Sequence, residues 1–307
     1  MKKRILAFGN PVYDVISTPS IVRSERVLSG CSTNACLAAA LLGEQATLVG
    51  TVGEDFRERL QADLADRWVD YQLLPSKETG GFSLIYYDNQ GNRHLTILGT
   101  ADPIPAKIDK IPACDIILIG PILGEISPEL VENLRRQSEA PILVDPQGLL
   151  RKTVEGKIVH EMSDSFAKIA AMATILKANE LETKVVTGID ARLDPEAAVR
   201  ALHKYGCKIA ITTIAEAGSI IYDGNQITVI PPFTTDAIDP TGAGDTYAAG
   251  FMVKYLETPD DLRGVGCFAS GVASVMVENS GPDFPLSRPE ADWRQAFLLS
   301  QPEKLVL

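Results

Sequence analysis

Short runs of continuous apolar residues recur along this chain, each followed by a stretch with helical periodicity, and that alternation restricts the fold more than any other feature. Ile116-Ile117-Leu118-Ile119 and Ile142-Leu143-Val144 carry no polar member, as strands covered on both faces require. Ile5 to Phe8, Ala46 to Val49 and Ile209 to Thr213 read as further strands. Between them, Ala35 to Leu42 reads as a helix closed by Gly43, and Phe56 to Arg67 as an amphipathic helix. Ser127-Pro128 and Asp194-Pro195 each place a capping side chain before a proline at the first helical position, and Gly206 ends the second of these helices. Strands alternating with helices predict a three-layer α/β/α fold around a mainly parallel central sheet. No repeat or low-complexity segment interrupts it, and 307 residues suffice for one such domain over 1–307.

Two segments break the rhythm. Val15 to Leu28 is β-prone but polar, while Phe82 to Tyr87 and Arg93 to Leu98 flank the turn-forming Asp88-Asn89-Gln90-Gly91-Asn92. Both leave the main sheet at its carboxyl edge, where open α/β folds bind ligands. They predict a small β-sheet lid built discontinuously from about 12–30 and 79–102. Exposed lid faces favour a homodimer.

A formal net charge of −11 argues against nucleic acid and anionic membrane surfaces as partners, since both demand a basic face. No apolar run is long enough to cross a bilayer, and Met1 to Gly9 reads as a buried first strand rather than a targeting signal, so a cytoplasmic protein is expected. Cys31, Cys36, Cys114, Cys207 and Cys267 lack metal-ligand spacing and read as reduced, mostly buried thiols. A phosphorylated small molecule remains compatible with this charge, because backbone amides and a divalent metal can meet it locally.

The chemistry concentrates near the carboxyl end. Asp239-Pro240-Thr241-Gly242-Ala243-Gly244-Asp245-Thr246 runs directly into a helix-compatible stretch from Tyr247 to Leu256. Free N–H groups and the positive dipole end of a first helical turn favour phosphate, and glycines let it approach the backbone. Gly242, Ala243 and Gly244 are expected to present those amides. Asp245 would repel a static phosphate, yet it is what a phosphoryl-transfer enzyme needs to take the proton of an attacking hydroxyl. As a carboxylate at a helix start, it should stay ionised at neutral pH.

Other candidates surround the same cleft. Asn179, Glu180 and Glu182 follow the short strand Ile175-Leu176, where their oxygens could hold magnesium and its waters; first-turn helix acids are the alternative reading. Thr213 ends a strand before Ala217-Gly218, where its hydroxyl could touch a nucleotide phosphate, with a solvated strand end as the equal alternative. Asp14, Gly30, Asn34 and Arg151 are placed to bind acceptor hydroxyls, with turn, cap and surface roles as alternatives. His94, His160 and His203 form no ligand or nucleophile pairing. A Walker loop, the protein-kinase motifs and a Gly-x-Gly-x-x-Gly turn are all missing, which disfavours those ATPases, protein kinases and dinucleotide oxidoreductases.

Assembled, these residues resemble the PfkB carbohydrate kinase family, with its ribokinase-like fold, over essentially the whole chain. The specific part is Asp239 to Asp245 followed by Ala249-Gly250-Phe251. The resemblance implies Asp245 as catalytic base, Gly242 to Gly244 as an anion hole, and Asn179 and Glu182 as the Asn-x-x-Glu element positioning Mg2+ and phosphate. It implies a monovalent cation such as K+ at Asp239 and Thr241, and nucleotide contacts from Asn179, Thr213, Gly218 and Ser270. Gly30, Asn34, Gly43 and Gly53 match the amino-terminal signature, while Ser29 and Ser32 depart from it. Val12 stands where ribokinases carry asparagine, which disfavours ribose, and Ala215 and Ser270 replace a usual glycine and asparagine. Gly120-Pro121 and Asp145 to Arg151 are similar to the family's inositol kinases. The expectation is an ATP-dependent kinase that phosphorylates a hydroxyl of a sugar, cyclitol or nucleoside. The rival is a non-catalytic nucleotide- or sugar-binding regulator on the same scaffold.

Overall fold

The computed structural model describes residues 1–19, 21, 25–87 and 93–307, so the expected turn at 88–92 lies outside the described residues. In chain order the strands are β1 (Arg4–Phe8), β2 (Val12–Ser17), β3 (Val27–Ser29), β4 (Gln45–Gly53), β5 (Asp70–Ser76), β6 (Gly81–Tyr86), β7 (Arg93–Gly99), β8 (Ile116–Ile119), β9 (Ile142–Val144), β10 (Arg151–Val154), β11 (Lys157–His160), β12 (Ile175–Asn179), β13 (Ile209–Thr213), β14 (Ser219–Tyr222) and β15 (Ile227–Ile230). The helices are α1 (Cys31–Leu41), α2 (Arg57–Ala65), α3 (Pro128–Gln137), α4 (Phe166–Ala171), α5 (Glu180–Thr187), α6 (Pro195–His203), α7 (Ala243–Tyr255), α8 (Leu262–Val277) and α9 (Arg288–Leu299).

The central sheet runs β15-β14-β13-β12-β9-β8-β1-β4-β5 and is parallel except at β14, which is antiparallel to both neighbours. Side chains alternate across it. Ile5, Ala7, Leu143 and Ile175 pack toward α1, α7 and α8, whereas Leu6, Phe8, Val144 and Leu176 pack toward α3, α4 and α6. Helices on both faces explain why these strands are continuously apolar. The capping residues act as their chemistry dictates: Ser127 Oγ accepts from Leu130 N at 3.2 Å, and Asp194 Oδ1 from Ala197 N at 3.0 Å. One helix starts earlier than its pattern suggested. Gly30, at φ +118°, is the residue before α1, so Cys31 to Asn34 form the helix's first turn instead of a loop ahead of it.

The second sheet runs β10-β11-β7-β6-β2-β3. The sequence predicts two contributing pieces, but the sheet draws on a third, the β10–β11 hairpin, which joins at the Lys157–Thr96 pair. Glu155 and Gly156 turn this hairpin with φ of +50° and +76°, the two left-handed positions a two-residue turn needs. Val12, Ile16, Phe82, Leu84 and Tyr86 pack beneath the sheet against Cys31 and Ile122, which fixes it over the carboxyl edge of the main sheet. No helix among the described residues is long and apolar enough to cross a membrane.

Candidate active site

A cavity opens between the small sheet and the carboxyl edge of the main sheet, and the amino end of α7 forms its floor. Gly242 caps that helix in the left-handed region, φ +82°, so the chain turns sharply into its first turn. Gly242 and Gly244 lie on the cavity wall, and their amides have no protein acceptor among the described residues. Ala243 differs from expectation. Its N–H donates to Pro240 O at 3.2 Å and it is not part of the wall, because a helix start turns this amide back onto the preceding loop.

Asp245 is the first-turn acid of α7, and its Oδ2 accepts from Asn34 Nδ2 at 2.8 Å. Asn34, read as an acceptor ligand, thus reaches from α1 to hold this carboxylate in place. Burial pushes the Asp245 pKa up and Asp145 pushes it further, while Asn34 and Lys177 oppose them. The ligand atoms of Asp145, Asp245 and Cys31 lie within 4.8 Å of one another. Lys177, 2% exposed, donates to Asp145 Oδ2 at 2.7 Å. Burial alone would lower its pKa; Asp145 and then Glu182 more than reverse that, so it remains an ammonium.

The Asn-x-x-Glu element is a reciprocal cap on α5. Asn179 Oδ1 accepts from Glu182 N at 2.9 Å, and Glu182 Oε2 accepts from Asn179 N at 2.8 Å. Both residues line the cavity. Burial, then Asp145, raises the Glu182 carboxyl to about 7. Its Oε1 has no hydrogen-bond partner among the described residues, so the donor set fits a magnesium-bound water. Asp239 and Thr241 fit a monovalent cation less well. Asp239 Oδ1 accepts from Thr241 N and Oδ2 from Ser280 Oγ, at 2.9 and 2.7 Å, and Thr241 Oγ1 bonds Tyr86 Oη at 2.8 Å. No orphaned side-chain oxygen there calls for an ion, and we derive no step through one.

Asp14, Gly30 and Arg151 all line the cavity. Asp14 is 4% exposed, and its Oδ1 accepts from Phe82 N at 2.7 Å. Arg151 is half-buried, donates to Gln147 Oε1 at 2.8 Å and Ile122 O at 3.2 Å, and so is tied into the wall instead of lying free on the surface. Thr213, Gly218 and Ser270 do not line the cavity. They lie further along the same edge: Thr213 pairs with Asn179 on one side and Ser219 on the other, and Ser270 donates to Pro231 O at 3.5 Å. Gly218 has a local reason, since a Cβ there would stand 2.3 Å from Ile230 O. Sequence reasoning missed Cys31, Tyr86, Asp145 and Lys177 as wall residues.

Several known proteins are similar to this chain. A cytidine kinase of Thermococcus kodakarensis is 29% identical over 263 residues, spanning 82% of this chain and 88% of the relative. An inositol 3-kinase of Arabidopsis thaliana is 28% identical over 297 residues, spanning 92% and 77%. A solved pyrophosphate-dependent kinase in the ribokinase family, complexed with a pyrophosphate analog and myo-inositol, is similar with a TM-score of 0.79 at 23% identity, covering 94% of this chain and 99% of that one. A Burkholderia thailandensis nucleoside kinase in complex with inosine gives 0.74 at 21% identity, covering 98% and 99%. The two structural likenesses establish a ribokinase-like fold. The pfkB family carbohydrate kinase model matches residues 2–289, and with the glycine loop, its following aspartate and this fold in one chain, the protein belongs to that family of phosphotransferases.

Proposed function

We propose that the chain transfers the terminal phosphoryl group of ATP directly to a hydroxyl of a sugar, cyclitol or nucleoside, with Asp245 as the base. The observation that supports this reading most is the Asp245 carboxylate. It is fixed by Asn34 at 2.8 Å, desolvated, and next to the free amide of Gly244 on one cavity wall. Asp14 and Arg151 face the same space and orient the acceptor hydroxyl. As the acceptor oxygen bonds phosphorus, its proton passes to Asp245, whose basicity burial and Asp145 increase. The Gly242 and Gly244 amides offset the charge that develops on the phosphoryl oxygens. Magnesium, when bound, neutralises and orients the donor phosphates, and Glu182 would hold one of its waters. The small sheet acts as a lid. Tyr86 Oη bonds Thr241 Oγ1 of the glycine loop, which closes the space against water as a competing acceptor.

The donor has a second reading. Ala215 takes φ +42° where a glycine loop would accommodate nucleotide phosphate, and Thr213, Gly218 and Ser270 stand off the cavity wall. Pyrophosphate, the donor named for one structural neighbour, is recognised by its phosphates alone and needs no base pocket. Release of ADP from ATP, and of orthophosphate from pyrophosphate, measured against myo-inositol, fructose, ribose, adenosine and cytidine decides both questions. Transfer to one acceptor class from ATP is expected; no transfer from either donor to any of them would sink the proposal.

A further inference from the structure

We propose that Lys177 is the side-chain cation that meets the transferring phosphoryl group, held beneath the glycine loop by Asp145; this rests on the kinase reading above and extends it to a residue without an assigned role. Strand geometry puts it there. Along β12, Ile175 packs on the α1–α7 face and Leu176 on the opposite one, so Lys177 returns to the α7 face at the carboxyl end of its strand. Ile175 pairs with Leu143 and Leu176 with Val144; continuing that register sets Lys177 beside Asp145.

The ammonium lies against the phosphate cradle. A Cβ built on Gly244 would stand 2.7 Å from Lys177 Nζ, so the glycine's bare Cα is what admits the ammonium there. Of its three N–H donors, one goes to Asp145. The others have no acceptor among the described residues, and no ion pair within 4.0 Å joins it to Glu182 or Asp245, although both act on it through space. Two donors therefore remain for an anion at a wall that also carries the base. Stability does not require the pair, because a buried ion pair is often no better than apolar residues of similar volume, and Ile175, Leu176 and Ala178 are all apolar and buried.

In the transfer the acceptor oxygen forms its bond to phosphorus as the bond from phosphorus to the donor's bridging oxygen breaks, and that electron pair leaves with the donor. The acceptor's proton goes to Asp245. Lys177 keeps its own protons throughout and offsets charge on the equatorial oxygens.

Lys177→Gln should lower turnover about 10²–10³-fold and weaken binding of magnesium pyrophosphate, measured by calorimetry, at least ~10-fold, while acceptor KM changes little. That variant leaves Asp145 buried without its partner, so Asp145→Asn and the double variant Lys177→Gln/Asp145→Asn accompany it. The inference holds if the folded double variant stays impaired in pyrophosphate binding and turnover while Asp145→Asn alone retains pyrophosphate affinity. It is overturned if the double variant recovers, if Asp145→Asn loses as much affinity as the double, or if the wild type binds neither magnesium pyrophosphate nor magnesium ATP. A wild type that binds pyrophosphate but phosphorylates no acceptor would sink the kinase reading instead.

Discussion

Gly242→Ala separates backbone strain from the geometry of the site. Gly242 sits at φ +82°, where a Cβ costs ~1–2 kcal/mol. The new methyl would also stand 3.1 Å from Asn34 Nδ2 and 3.4 Å from Met276 Cε. The first contact is tighter than side chains ordinarily make, so the amide that holds Asp245 must shift by a few tenths of an ångström. Gly43→Ala is the matched control, with φ +90° and nothing within 4 Å of its Cβ, beyond the far end of α1. Urea unfolding should show both variants destabilised by about 1–2 kcal/mol. Turnover on the best acceptor should fall about tenfold for Gly242→Ala only, since misplacing a reacting group by 1 Å costs about 10²-fold. A Gly242→Ala protein as destabilised as the control but turning over at the wild-type rate would show that the Asn34–Asp245 contact does not position the chemistry.

Two further outcomes follow from the same site. Burial raises Glu182 from an ordinary 4.5 to about 7, so the unfolded chain releases this proton at lower pH than the folded protein does. Wild-type stability should therefore fall as pH rises through that window. Glu182→Gln, which keeps the capping acceptor, should flatten the fall in pH-dependent melts and raise the magnesium concentration for half-maximal turnover about 10–100-fold; an unchanged magnesium response would remove Glu182 from metal positioning. Tyr86→Phe removes the 2.8 Å bond between the small sheet and Thr241. It should cost about 0.5–1.5 kcal/mol in denaturant unfolding and raise acceptor KM, and an unaltered KM would mean that this contact does not help close the site.

What the sequence revealed was what local chemistry decides. β8, β9 and β13 match the expected runs residue for residue, and β8 and β9 are apolar without interruption, as strands covered on both faces are. Ser127 and Asp194 announced their helices through side chains that can accept from the third amide. The glycine loop was equally local, a few residues deciding the start of α7. The rest depends on chain segments far apart. Nothing near Asn34 indicates that its amide meets Asp245, 211 positions away. The β10–β11 hairpin is mostly exposed and polar, and its membership of the small sheet rests on one long-range pairing. Lys177 did leave a trace, a charged residue in a strand otherwise apolar from Ile175 to Ala178, which implies a buried partner at the same edge. Only the order of strands in the sheet identifies that partner as Asp145.

The most direct test of the account is the turnover of Asp245→Asn. Asparagine can still accept from Asn34, and burial and Asp145 already disfavour the ionised carboxylate, so the variant should fold and melt at neutral pH no lower than wild type. Turnover should nonetheless fall about 10²–10⁴-fold, roughly 3–5 kcal/mol of barrier. A folded Asp245→Asn protein that phosphorylates its acceptor at the wild-type rate would contradict the assignment of this carboxylate as the base.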